Sequence, residues 1–178
     1  MRIRSWKAVV LGLALAVLTG AALLASQSLD AGAAAPAGPA EVARGQYLVT
    51  LMDCAGCHTP GALQGQPDPD RRLAGSNVGF ATAAGIVYPS NLTPDTETGL
   101  GRWSDAEIVR ALRHGQARDG RVLLPVMPWP SYSVLTEADA RAIVAHLRSL
   151  SPVRFASPRN TRPGEPAAAP YLTVVAPR

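Results

Sequence analysis

Cys54-Ala55-Gly56-Cys57-His58 is the stretch on which the reading of this chain turns. Two thiols stand one helical turn apart, and an imidazole follows the second directly. Zinc would need four ligands from separate positions, but Cys57 and His58 are neighbours and there is no second C-x-x-C. A thioredoxin-like redox pair belongs at the end of a strand in a βαβ unit, and no such unit can be read here. A Cys54–Cys57 disulfide would close a tiny loop and stabilise little. The spacing matches C-x-x-C-H, the attachment site of c-type haem. Two thiols a turn apart can form thioethers to two vinyl groups on one macrocycle edge. The adjacent histidine is then brought beneath the iron as its proximal ligand. The small side chains of Ala55 and Gly56 let the porphyrin edge approach the backbone. Cys54 and Cys57 are therefore read as covalent anchors of one haem c per chain, and His58 as an iron ligand.

The second axial ligand is sought among Met52, Met127, His114 and His146. Met52 lies two residues before Cys54, too close to reach the opposite haem face. Met127 stands in Leu124-Pro125-Val126-Met127-Pro128-Trp129-Pro130, where three prolines stiffen the segment and keep it from becoming helix. A rigid loop delivering one thioether suits a distal ligand, and Met127 is chosen over the competing role of gap-filling core methionine. His114, just before Gly115, reads as a helix-end residue favourable at a C-terminus. His146 reads as a packed helix residue.

Working outward, residues 42–151 form the core, long enough for one modest hydrophobic interior. Three helices are predicted. The first spans about Glu41 to Met52. The second opens at the capping box Ser104-x-x-Glu107 and stops at Gly115. The third opens at Thr136, carries Ala140, Ile143, Val144, Leu147 and Leu150 at helical spacing, and ends before Pro152. No alternating strand pattern is seen, so the fold class is all-α: three main helices and long loops around one covalent haem. Residues 60–103 hold seven Gly and five Pro. So long a loop is acceptable in a compact domain only if it wraps a large apolar group. An aromatic content of 5% points the same way.

The flanks set the compartment. Arg2, Arg4 and Lys7 precede the uncharged run Ala8–Ala25, the plan of a secretory signal that also just reaches the length of a membrane anchor. Residues 1–25 are read as one or the other, and residues 26–41 as a flexible Ala/Gly/Pro linker. Either way the remainder lies in the periplasm, where thioether attachment is possible. Residues 152–178 form a Pro-rich tail, either mobile or an extended strap, within which Tyr171–Val175 could dock as a short strand. The formal charge of +4 is misleading, because beyond residue 25 there are 14 cations against 13 acids. A nucleic-acid partner is thus unsupported. Lys7 is the only lysine, so any charge-steered docking must use arginine. An apolar content of 47% excludes a disordered chain, and two cysteines exclude a disulfide scaffold.

From these residues onward the chain resembles bacterial periplasmic class I-like c-type cytochromes. More narrowly, it is similar to the haem modules in the cytochrome subunits of membrane-bound alcohol, aldehyde and related sugar-acid dehydrogenases. The resemblance is carried by Arg44–Leu48, Asp53–Thr59, Tyr88–Asp95, Glu97–Ser104, Met127–Tyr132 and Ala142–Leu147. It implies the cytochrome c fold, with His58 proximal, Met127 distal, and Gly45 allowing the first and last helices to cross closely. His146 departs from the aromatic residue usual at that place. Many relatives carry three haem modules, and this chain has one. In this light Asn91 and Thr93 are candidates for bonding haem propionates, and Trp103 and Tyr88 for packing on the porphyrin. Turn-building and ordinary core packing compete with these roles. Arg71, Arg72 and Arg102 read first as solvated charge.

The function expected is single-electron transfer from a dehydrogenase donor to a quinone site or oxidase. The chain is expected to transfer electrons and not to be an enzyme itself, because an iron held by both His58 and Met127 has no open site for bond chemistry; nor does a dinucleotide-binding glycine pattern follow a strand, as a catalytic dehydrogenase domain would show. The alternative is an open-coordinate haem protein, peroxidase-like or gas-binding, which requires Met127 to be off the iron.

Overall fold

The computed structural model describes residues 37–177. The expected export segment, and the linker up to residue 36, lie outside the described residues. Three long helices stand where local signals place them. Helix α1, Pro39–Leu51, begins two residues earlier than predicted, inside the expected linker. Pro39 can open it because the first helical turn needs no N–H there, and Glu41 favours the positive end of the dipole. A one-turn helix α2, Cys54–His58, follows at once, entered through Asp53 in left-handed conformation (φ 49°).

Helix α3, Asp105–His114, carries the full capping box, with Ser104 N–H donating to Glu107 Oε2 at 2.7 Å and Glu107 N–H to Ser104 Oγ at 3.2 Å. It ends on Gly115 at φ 64°, a conformation that costs a glycine little. A short α4, Trp129–Tyr132, leads into α5, Glu137–Ser149, where Thr136 Oγ1 accepts from Asp139 N–H at 3.0 Å.

Helices α1 and α5 cross at Gly45. A Cβ added there would run into the Ala142 carbonyl and meet the His146 side chain. The close crossing buries Leu48 and Val49 of α1 against Ile143, Val144 and Leu147 of α5. Ile108 and Leu112 of α3, and Leu73 and Leu100 of the long loop, complete the core. Each fully buried aliphatic side chain contributes about 1.5–3 kcal/mol. Leu51, near the end of α1, is an apolar residue left 67% exposed.

Helix is the main regular structure among the described residues, as expected, but the long loop adds a hairpin that the sequence does not announce. Strands β1 (Gly79–Thr82) and β2 (Gly85–Val87) pair antiparallel, Phe80 facing Val87 and Thr82 facing Gly85. A third strand, β3 (Tyr171–Leu172), joins parallel to β1, giving the order β2-β1-β3. The strands are short, four, three and two residues, and that is below the length at which alternation shows in sequence.

The C-terminal segment is an extended strap over this loop. Thr161 N–H donates to Ile86 O at 2.9 Å, and the Tyr88 hydroxyl donates to Ala169 O at 2.7 Å. The strap thus supplies partners for backbone groups that the loop cannot satisfy alone.

Candidate functional site

The thiols of Cys54 and Cys57 are both free, on the single turn of α2. At Gly56 within it, an added Cβ would strike the Asp53 carboxylate, which would have to turn away. Burial pushes the Cys54 thiol up to about 11, with the Asp53 charge adding to it. Burial, then Asp53, raises Cys57 as well. Both sulfurs are protonated near neutral pH.

His58 closes the turn. Its ring Nδ1 lies 2.7 Å from the Ser90 carbonyl oxygen, so Nδ1 carries the proton and donates, and the Nε2 lone pair is left for a metal. Burial lowers the His58 pKa, partly opposed by the Ser90 hydrogen bond, so the imidazole stays neutral, as ligation requires. The backbone around it is tied too. Gly75 N–H donates to His58 O at 2.9 Å, and Leu73 N–H to Thr59 Oγ1 at 3.1 Å.

Met127 is delivered by a loop fastened to the end of α3. Leu123 N–H donates to Gly115 O at 2.6 Å, Met127 N–H to Leu124 O at 3.1 Å, and Trp129 N–H to Met127 O at 2.7 Å. The Trp129 ring lies on Gly115, where any side chain would collide with it, and its Nε1–H donates to Leu123 O at 2.9 Å. Met127, Cys54, Ala55, Met52, Leu92, Trp103 and Tyr132 are all half-buried against one core cluster. The donor set fits a covalently attached haem: two free thiols, a neutral histidine with a free Nε2, and a thioether on the same apolar cluster.

The other sequence-derived candidates separate. Asn91 is 2% exposed, and its amide is fully engaged within the protein. Nδ2 donates to Val153 O at 2.7 Å and Thr98 Oγ1 at 3.0 Å, while Oδ1 accepts from Thr93 N–H at 2.9 Å and Thr93 Oγ1 at 2.8 Å. These bonds build the loop and tie it to the strap. Thr93 shares that network, and the Tyr88 hydroxyl is spent on Ala169. Trp103 packs on the core cluster, and its carbonyl accepts from the Arg148 guanidinium, which also bonds Leu100 O at 3.0 Å and Asp105 at 3.0 Å. His114 is exposed at the end of α3. His146 is buried at the α1–α5 crossing with Nδ1 unpartnered among the described residues. Arg71 pairs with Asp68 at 2.7 Å and lies 5.3 Å over the Phe155 ring, and Arg72 and Arg102 are exposed.

Sequence reasoning missed Tyr132. It is half-buried on the cluster that also carries Cys54 and Met127, and burial first, then neighbouring Cys54, Cys57 and Asp53, pushes its phenol up to about 12. Sequence reasoning also missed Ser90, because a backbone carbonyl that orients a ligand leaves no side-chain signature.

Residues 42–151 match the family model described as cytochrome c. The gluconate 2-dehydrogenase cytochrome c subunit of Pantoea cypripedii is 38% identical over 149 residues, covering 83% of this chain and 30% of the relative. The cytochrome c subunit of the quinone-type alcohol dehydrogenase of Gluconacetobacter polyoxogenes is 37% identical over 141 residues, 79% of this chain and 27% of its own. The fructose dehydrogenase cytochrome subunit of Gluconobacter japonicus is 32% identical over 123 residues, 68% of this chain and 24% of its own. The chain therefore spans less than a third of the length of each of these relatives.

Proposed function

The chain belongs to the cytochrome c family, and we propose that it is a mono-haem electron carrier of the periplasm, accepting single electrons from a dehydrogenase and passing them to a quinone site or oxidase. Haem c, the covalent iron cofactor of the family, supplies a metal that gains and loses one electron. Cys54 and Cys57 would hold it through thioethers, and His58 Nε2 and the Met127 thioether would be the donors to its iron. The Ser90 carbonyl fixes the imidazole tautomer and makes Nε2 a stronger donor. Leu92, Trp103 and Tyr132 keep water from the site and so favour the reduced state.

The observation that carries this reading is the 2.7 Å bond from His58 Nδ1 to Ser90 O beside two free thiols on one helical turn. That is the preparation a metal-ligating imidazole needs, a dithiol redox centre has no use for it, and zinc, which would share it, would need four ligands from separate positions where this turn offers two thiols at thioether spacing. Met127 bears on the alternative of an open-coordinate haem. A thioether on a loop tied at three backbone points supports closed coordination, and with it electron transfer over peroxidase-like or gas-binding chemistry.

The dehydrogenase donor is proposed from what the relatives are named for. Among the described residues no helix is long and apolar enough to cross a membrane. The uncharged run of residues 8–25 is the proposed membrane tether if it is retained. The test is mass spectrometry of the exported chain from a host competent in cytochrome maturation. One haem adduct on the Cys54–His58 peptide is expected. An unmodified peptide would overturn the proposal.

A further inference from the structure

Ser90, whose carbonyl holds His58, sits between two residues gripped from outside the family match. Ser157 Oγ donates to Pro89 O at 2.7 Å and accepts from Ser76 N–H at 3.3 Å. Asn160 Oδ1 accepts from Tyr88 N–H at 2.9 Å. On the other side of Ser90, Val153 O accepts from Asn91 Nδ2 at 2.7 Å. Val153, Ser157 and Asn160 all belong to the strap, which lies beyond the matched residues 42–151. Residues 88, 89 and 91 are thus each bonded to the strap, and residue 90 carries the carbonyl that aims the imidazole.

Without the strap, two backbone bonds hold this turn from the inside, Ser76 N–H to Pro89 O at 3.0 Å and Leu92 N–H to Leu73 O at 2.9 Å. The strap also closes over the backbone that grips His58 O. At Gly75, whose N–H makes that bond, an added Cβ would strike Ser157 Oγ.

We propose that the C-terminal strap is a positioning element for the proximal histidine: Ser157 and Asn160, acting through the turn Tyr88–Asn91, hold the Ser90 carbonyl against His58 Nδ1. A carbonyl held firmly at 2.7 Å draws on the Nδ1 proton and makes Nε2 more electron-rich, which favours the oxidised metal. When the turn loosens, that donation weakens and the reduced state gains. Ser157 and Asn160 carry no charge near neutral pH, so their effect comes through geometry. The redox part of this inference rests on the electron-carrier reading. The hydrogen-bond part rests on the chain alone.

The experiment uses the full-length exported chain and the variants Ser157→Ala, Asn160→Ala, the double variant, Ser157→Thr and Arg159→Ala. Arg159 lies on the same strap but pairs with Glu165 at 3.3 Å, so it is the control. Haem content by mass is measured first, then the solvent exchange rate of the His58 Nδ1 proton by NMR, then the midpoint potential. In the double variant the exchange rate is expected to rise roughly tenfold, the scale on which lost hydrogen bonds ease local opening. The potential is expected to shift upward. Each single alanine variant gives a smaller change of the same sign. Ser157→Thr, which keeps the hydroxyl, and Arg159→Ala match the parent. Amide exchange in α5 stays at the parental rate, separating positioning from general loss of fold. Parental exchange and potential in a haem-loaded double variant would overturn the inference. A chain without haem would overturn the electron-carrier reading instead, and the Nδ1 exchange comparison would still decide the positioning claim.

Discussion

Replacing Asn91 with alanine tests how the loop over the site is built. The side chain makes four strong hydrogen bonds, but their losses are unequal. Thr98 Oγ1 keeps its 2.7 Å bond to Asp95, and Val153 O keeps the Thr93 hydroxyl at 3.3 Å. Thr93 Oγ1 keeps Val153 N–H at 3.1 Å. Thr93 N–H has no second acceptor, and Thr93 is 1% exposed. One orphaned buried donor costs about 1–3 kcal/mol, and three further bonds lost at about 1 kcal/mol each bring the sum to about 4–6 kcal/mol. Against a total of about 5–15 kcal/mol for a domain, the loss is large. Denaturant unfolding of the haem-loaded protein measures it directly. In a cycle with Thr93→Val, the double variant should lose less than the two singles summed, because the residues share one network. A cost below about 1 kcal/mol for Asn91→Ala, with a changed absorption spectrum, would refute the network account. It would return Asn91 to the role of haem contact.

Three further outcomes are expected. Gly45→Val forces α1 away from the Ala142 carbonyl and should cost at least about 2–3 kcal/mol, read as a lowered thermal midpoint; an unchanged midpoint would mean that the helices do not cross there. Met127→Ala should let the reduced protein bind carbon monoxide and should lower its potential, because a thioether favours ferrous iron; an unaltered spectrum would remove Met127 from the iron. Asp95 accepts from the Thr98 hydroxyl and amide, both at 2.7 Å, which hold its carboxyl below the ordinary 3.8. Its folded pKa is depressed, so this stabilisation is present above about pH 4 and fades as pH falls through the folded value. Asp95→Asn should therefore flatten the acid limb of the stability curve, and an unchanged limb would show that these bonds do not favour the charged form.

The boundaries of α3 and the start of α5 were legible because their causes are local: a capping box three residues wide, a glycine able to turn left-handed, a threonine N-cap. The hairpin was not legible, since four and three residues with two glycines carry no period, whereas the strand that joins it, Tyr171–Leu172, lies within the stretch Tyr171–Val175 expected to dock as one. Asn91 and Thr93 were recognised as polar residues with work to do, but the partner that settles their place, Val153, lies 62 and 60 positions away. Tyr88 presented the same problem across 81 positions.

The proposed chemistry of the site is written in five consecutive residues, because thioether formation and iron ligation would depend on atoms that covalent spacing alone brings together. The aim of the imidazole was not. It is set by a carbonyl 32 positions on, in a turn held by a strap some 70 positions further, and hydrogen bonds between segments so distant obey no repeat that a sequence displays. Only the folded chain, with each buried polar group finding its partner, decides them.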